Sequence, residues 1–160
     1  MSEAIDIRTA ESGDLERVTD LLGECGLPAG GVEENLGKWF VVAEHEGEFV
    51  GVCGIEVSGV FGLLRSLAVS PSWRGRSVGH ALVNDRIARA RTAGIRTLYL
   101  LTIDADRYFD QVGFRRINRD AVPREIKNSL EFSSLCPETA VAMVRDLESD
   151  PDSPERSLRN

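Results

Sequence analysis

The stretch from Leu63 to His80 constrains what this chain can fold into more than any other. Leu63 to Val69 is an apolar run suited to a strand, and Pro71 ends it because a prolyl nitrogen has no N–H for a sheet ladder. An Arg/Gly/Ser stretch follows, and Val78 to Thr92 then sets Leu82, Val83, Ile87 and Ala90 at helical spacing. A strand, a tight turn and a helix in that order commit the chain to a layered α/β arrangement. The turn itself reads Arg74-Gly75-Arg76-Ser77-Val78-Gly79-His80. Helix N-termini leave backbone N–H groups unpaired and carry partial positive charge, small residues let an anion approach those groups, and arginines add charge-assisted donors. The pattern lacks the Gly-Lys-Ser/Thr of a nucleotide-triphosphate loop and the Gly-x-Gly-x-x-Gly of a dinucleotide fold.

The rest of the chain alternates in the same way. Ile5 and Ile7 read as a first strand, and Glu11-Ser12-Gly13-Asp14 offers capping oxygens to a helix through Leu15, Val18, Leu21 and Leu22. Gly26 to Gly31, with Pro28 inside it, reads as a flexible connector suited to a substrate-side loop. Trp39 to Glu44 and Glu48 to Val57 flank Glu46-Gly47 as a hairpin, and Ser58-Gly59 is a second short turn. Beyond Gly94, Thr97 to Thr102 suits a strand buried on both faces, and Asp104 is placed to cap a short helix to Val112. Gly113-Phe114 turns into a further strand, Pro123 to Glu131 reads as a helix and Ala140 to Asp146 as a last strand. The expected fold is α/β, a mixed central sheet of about six to seven strands flanked by helices.

Composition narrows the classes. With 160 residues, 42% hydrophobic and 28% charged, the chain is expected to form one globular domain over 1–147, followed by an acidic, disordered tail over 148–160. A net charge of -7 argues against duplex nucleic acid as the main ligand. No run approaches the roughly 20 apolar residues of a membrane span, and Glu3 and Asp6 stand where a signal peptide is basic or apolar, so a cytoplasmic location without membrane partners is expected. Cys25, Cys53 and Cys136 are odd in number, widely spaced and without Cys-x-x-Cys, which favours reduced structural thiols. His45 and His80 have no second ligand at helical or hairpin spacing, so no metal is expected, and Glu125, Lys127 and Glu131 read as a solvated helix face.

The strand, Val-x-Pro and Arg-Gly-x-x-x-Gly opening a helix resembles motif A of the GNAT superfamily of acyl-CoA N-acyltransferases, whose pattern is Gln/Arg-x-x-Gly-x-Gly/Ala. Arg74, Gly75, Arg76, Ser77, Val78 and Gly79 fill it, with Ser77 at the first consensus glycine, a tolerable exchange provided its backbone needs no positive φ. Tyr108 to Phe114 resembles the aromatic-x-x-x-Gly-Phe motif B. The strings Leu63–Val69, Leu98–Thr102 and Glu131–Pro137 are similar to the small N-acetyltransferases of arsenic-resistance operons, linked to acetylation of arsinothricin-like amino acids, and to the acetyltransferase domain of N-acetylglutamate synthase.

The resemblance implies an acetyl-CoA-dependent enzyme. Backbone amides of Leu67, Ala68 and Val69 would hold the pantetheine arm and polarise the thioester carbonyl, and Arg74 to His80 would hold the pyrophosphate. The family tyrosine that protonates the departing thiolate sits four residues before the Gly of the Gly-Phe pair, a place taken here by Phe109, so Tyr108 or water must serve as the acid. A thiol titrates near 8.5, which makes that demand modest.

The residues themselves add candidates. Glu56 follows an apolar run on the hairpin strand and is a base or amine ligand, or a solvated carboxylate. Arg65 lies on an otherwise apolar strand, where a lone charge is costly, so it meets an acceptor carboxylate or a structural acid. Thr102 and Asp104 end the next strand and face the acceptor or solvent. The leading expectation is direct ternary-complex transfer of acetyl from acetyl-CoA to a small amine or amino-acid acceptor. A peptide N-acetyltransferase and a non-catalytic acyl-CoA-binding module are the alternatives, and a homodimer is left open.

Overall fold

The computed structural model describes residues 4–129 and 139–148. Among the described residues seven strands form one sheet, in the order β1-β2-β3-β4-β5-β7-β6. They are β1 (Asp6–Ala10), β2 (Gly37–His45), β3 (Glu48–Ser58), β4 (Phe61–Val69), β5 (Thr97–Thr102), β6 (Arg115–Ile117) and β7 (Val141–Asp146). The helices are α1 (Leu15–Glu24), α2 (Val32–Asn35), α3 (Val78–Thr92), α4 (Asp106–Gln111) and α5 (Arg124–Lys127). The expected mixed α/β architecture is therefore the one observed. Tertiary contacts divide the chain into two compact units, one of residues up to Ile55 with Arg65–Arg86, the other of Glu56–Leu64 with the described residues from Ile87 onward. No helix among the described residues is long and apolar enough to cross a membrane.

In the first unit β1, β2 and β3 pair antiparallel, with Asp6 opposite Glu44 and His45 opposite Glu48. Both residues of the β2–β3 turn, Glu46 and Gly47, have positive φ, as a two-residue hairpin turn matched to strand twist requires. Val18, Leu21 and Leu22 of α1 pack on Phe40, Val42, Val52 and Ala68. A Cβ at Gly54 would stand 2.4 Å from the Phe40 ring, so that ring lies flat on β3 because nothing larger than hydrogen is there. Asp14, 3% exposed, takes both terminal nitrogens of Arg8 and one of Arg17 at 2.8 Å, while Arg8 Nε donates to Glu44. These pairs join β1, β2 and the start of α1, and they hold the Asp14 and Glu44 carboxyls below their ordinary range.

In the second unit β5 pairs parallel with β4, Phe61–Leu63 against Thr97–Tyr99, and antiparallel with β7, which also carries β6. Leu63, Tyr99, Val122, Ile126, Ala142 and Val144 form its core. Leu98, Tyr99, Leu100 and Thr102 are buried, as expected for an interior strand. Arg145 Nη1 donates to the Val112 carbonyl at 2.8 Å, and its guanidinium would lie 3.1 Å from a Cβ at Gly113, whose φ is +93°. The Gly-Phe pair thus needs its glycine both for backbone conformation and for space.

Three local expectations change. The residue that caps α4 is Ala105, not Asp104, and its N–H donates to Thr102 Oγ1 at 3.0 Å, because the hydroxyl at the end of β5 already reaches that amide. The helix expected from Pro123 to Glu131 ends at Lys127, where the Ser129 N–H turns back to the Ile126 carbonyl, and Glu131 lies outside the described residues. After the Gly26–Gly31 connector the chain makes one extra turn, α2, closed by Asn35 Nδ2 donating to the Gly31 carbonyl at 2.7 Å. Cys136, the Glu131–Pro137 string and the tail from 149 also fall outside the described residues.

Candidate active site

The phosphate-binding turn lies wholly in the first unit. β4 ends at Val69, and Ser70 donates its N–H to the Val50 carbonyl at 2.8 Å, which ties the turn to β3. Pro71–Trp73 make a single 3₁₀ turn, Arg74 is extended, and α3 begins at Val78 with no acidic residue in its first turn. Gly75 has φ +77°, a conformation in which glycine carries no steric cost. Ser77 does not meet the proviso attached to it: its φ is +67°, so a side chain occupies the left-handed region where the consensus has glycine. Its carbonyl accepts from Ala81 N–H at 3.1 Å and opens the helix, so the strained residue is the one from which α3 starts. Gly79 is half-buried and His80 exposed.

The side chains of the turn are tethered from within the unit. Arg74 donates from Nε to the Val69 carbonyl and from Nη2 to Cys25 Sγ, each at 3.3 Å, and the Cys25 thiol lies 3.8 Å from the same carbonyl. The Arg76 guanidinium sits 4.9 Å from the centroid of Trp73, and His45 packs on that indole at 4.7 Å, its Nδ1 donating to the Ala4 carbonyl. Sequence reasoning missed Cys25 and Trp73, because the thiol meets an arginine 49 positions away and no local periodicity marks such a contact.

On β4, Ser66 has φ +60° inside the strand, which interrupts the alternation beside Leu67, Ala68 and Val69. Ala68 is buried and its two neighbours are half-buried. Arg65 is 3% exposed, donates from Nε to Ser66 Oγ at 3.0 Å and directs Nη2 at the Pro28 carbonyl, 3.5 Å away in the Gly26–Gly31 connector. The fold therefore brings together the strand arginine and the loop that were separate expectations from sequence.

The second unit holds the other candidates. Glu56 is half-buried near the end of β3, and Asp104 is exposed. Thr102 is buried, and its hydroxyl oxygen accepts from Ala105 while keeping its own proton to donate. Phe109 is buried between Tyr108 and Phe114, ring centroids 5.2 and 5.8 Å away, and fills its place as packing. Tyr108 is half-buried with its hydroxyl oxygen shielded from solvent. Arg116 holds Asp106 and Asp110 of α4 at 2.7 and 2.9 Å, which fixes the helix that carries both rings. Among the described residues no group of three or more His, Cys, Asp or Glu side chains is placed to hold a metal ion.

Residues 9–114 match the acetyltransferase (GNAT) family, a span that contains the strand, the turn, α3 and the Gly-Phe pair. The chain belongs to that family. It is an acetyl-CoA-dependent acyltransferase, and the resemblance to the GNAT superfamily is confirmed. This GNAT chain is 26% identical to an uncharacterized N-acetyltransferase of Chlorobaculum tepidum over 88% of its own length and 93% of the relative's. It is 29% identical to an amino-acid acetyltransferase of Neisseria meningitidis over 74% of its own length, spanning 29% of that protein. The structure of N-acetylglutamate synthase from Neisseria gonorrhoeae, complexed with coenzyme A and N-acetyl-glutamate, superposes with a TM-score of 0.78 at 25% identity. That match covers 92% of this chain and 36% of the synthase, so the GNAT chain spans about a third of that protein.

Proposed function

We propose that residues 1–147 form one acetyltransferase domain that moves acetyl from acetyl-CoA directly to the primary amine of a small amino-acid-like acceptor. The observation that carries this reading is Arg65, a cation 3% exposed on a strand, whose Nη2 meets the Pro28 carbonyl of the Gly26–Gly31 connector at 3.5 Å. A guanidinium beside that small-residue connector is suited to hold an acceptor carboxylate through charge-assisted hydrogen bonds. Relatives named as amino-acid acetyltransferases support an acceptor of that class.

In the proposed reaction the neutral amine attacks the thioester carbonyl carbon, the C–N bond forms, the C–S bond breaks, and the CoA thiolate takes up a proton. Amides of Leu67, Ala68 and Val69 hold the pantetheine arm and the developing oxyanion. Arg74, Gly75, Arg76, Ser77, Val78, Gly79 and His80 hold the pyrophosphate through the open amides of α3, and Phe109 completes the cofactor-binding set. Glu56, directly or through water, takes the amine proton; Thr102 and Asp104 contact the acceptor; Tyr108 or water protonates the thiolate.

The test is acetyl transfer measured across glutamate, methionine, glufosinate-like and arsenical amino acids, beside their decarboxylated amines. Arg65→Ala should raise KM for amino acids by about one to two orders of magnitude and leave KM for acetyl-CoA and for the simple amines near the parent values. Equal losses on amino acids and amines would make Arg65 a structural residue and remove the support for this acceptor class.

A further inference from the structure

We infer that Cys25 and Trp73 are positioning residues for acetyl-CoA, which hold the guanidinium groups of Arg74 and Arg76 at the turn before the co-substrate arrives. The inference rests on the proposal that this turn holds the pyrophosphate. An exposed arginine loses rotamer freedom when it grips an anion, so one fixed in advance binds at lower cost. Arg74 is fixed through Nε on the Val69 carbonyl and Nη2 on the Cys25 thiol, which leaves Nη1 with both its N–H groups for a phosphate oxygen. The thiol accepts from Arg74 and faces the Val69 carbonyl as donor, so the end of α1, the end of β4 and the turn are closed into one triangle.

Arg76 is held differently, on the face of an indole that is 7% exposed and itself backed by His45. The two groups that hold Arg74, thiol and carbonyl, are both neutral. A carboxylate in their place would hold an arginine as firmly but cancel the charge that a pyrophosphate needs.

The experiment compares binding of acetyl-CoA and of S-acetyl-pantetheine, which lacks the pyrophosphate, by calorimetry. Cys25→Ala and Trp73→Leu should each weaken acetyl-CoA about three- to tenfold and leave S-acetyl-pantetheine unchanged. Cys25→Ser keeps a group that both accepts and donates, Trp73→Phe keeps an aromatic face, and both should bind acetyl-CoA within about twofold of the parent. If Cys25→Ala and Trp73→Leu weaken the two thioesters equally, or neither, the positioning role is overturned. Arg74→Ala separates the levels. If it leaves acetyl-CoA binding intact, the pyrophosphate reading fails and this inference with it; if it weakens binding while Cys25→Ala does not, only the positioning role fails.

Discussion

At the start of α1 the positive end of the helix is met by the chain's own carboxylate: Asp14 is buried there, bonded to the Glu11 N–H and to Arg8 and Arg17. At the start of α3 the corresponding residues are Arg74, Gly75, Arg76, Ser77 and Gly79, with no acid in the first turn. Both helices present the same unpaired amides and the same partial charge. One carries the chain's own carboxylate at its N-cap position, held by two arginines, and becomes structure; the other is left with small residues and extra cations, which makes it a place for an anion from outside. The difference between a joint and a binding turn lies in who supplies the negative charge.

The largest expected effect comes from making α3 begin as α1 does. Gly79→Asp places a carboxylate in the first turn of α3, where the helix charge favours it, so the free protein should melt at or slightly above the parent temperature. The thermal shift produced by acetyl-CoA should vanish, and KM for acetyl-CoA should rise by about two orders of magnitude or more. An unchanged shift would show that the turn is not the phosphate site.

The reverse change opens α1. Asp14→Asn removes the negative charge and one of the two oxygens that accept from Arg8 and Arg17, and should cost about 2 to 3 kcal/mol in denaturant unfolding, with acetyl-CoA binding unaffected. The same carboxylate predicts the acid limb of the stability curve. Folding lowers the Asp14 pKa below its ordinary 3.8 and the Glu44 pKa below 4.5, so these groups stabilise fully above about pH 5 and progressively less as pH falls through and below those values. Melting temperatures from pH 7 down to 3 should fall less steeply in Asp14→Asn than in the parent; parallel curves would mean the cluster does not govern acid unfolding.

The smallest effect concerns Ser77. Replacing it with glycine relieves a side chain at φ +67° and should stabilise the protein by about 0.5 to 1 kcal/mol, with acetyl-CoA affinity within about twofold. Destabilisation instead would mean that the serine side chain holds the turn by a contact that outweighs its strain.

Much of this molecule was legible before any coordinates. The bounds of α3, the hairpin around Glu46-Gly47, the buried β5 and the turn follow from periodicity, from Pro71 and from small residues, because short-range sterics and hydrophobic spacing act within a few residues of each other. The exchange at Ser77 was visible, but its consequence was not, since a serine's φ is imposed by the strand and helix it joins. The α4 cap was misread for a similar reason: Asp104 has the better capping chemistry in isolation, yet Thr102 already stands where the amide points.

What the sequence determined by itself is the backbone chemistry, the open amides of α3 and the glycine at 75 that lets the chain turn toward them, because those depend on local conformation and side-chain size. What tertiary structure alone decided is which side chains stand beside that backbone: Cys25 on Arg74, Trp73 beneath Arg76, and Arg65 aimed at the Pro28 carbonyl. Such contacts join residues on elements far apart in the chain, and their geometry is set by how sheet and helices pack, which no local pattern of residues records.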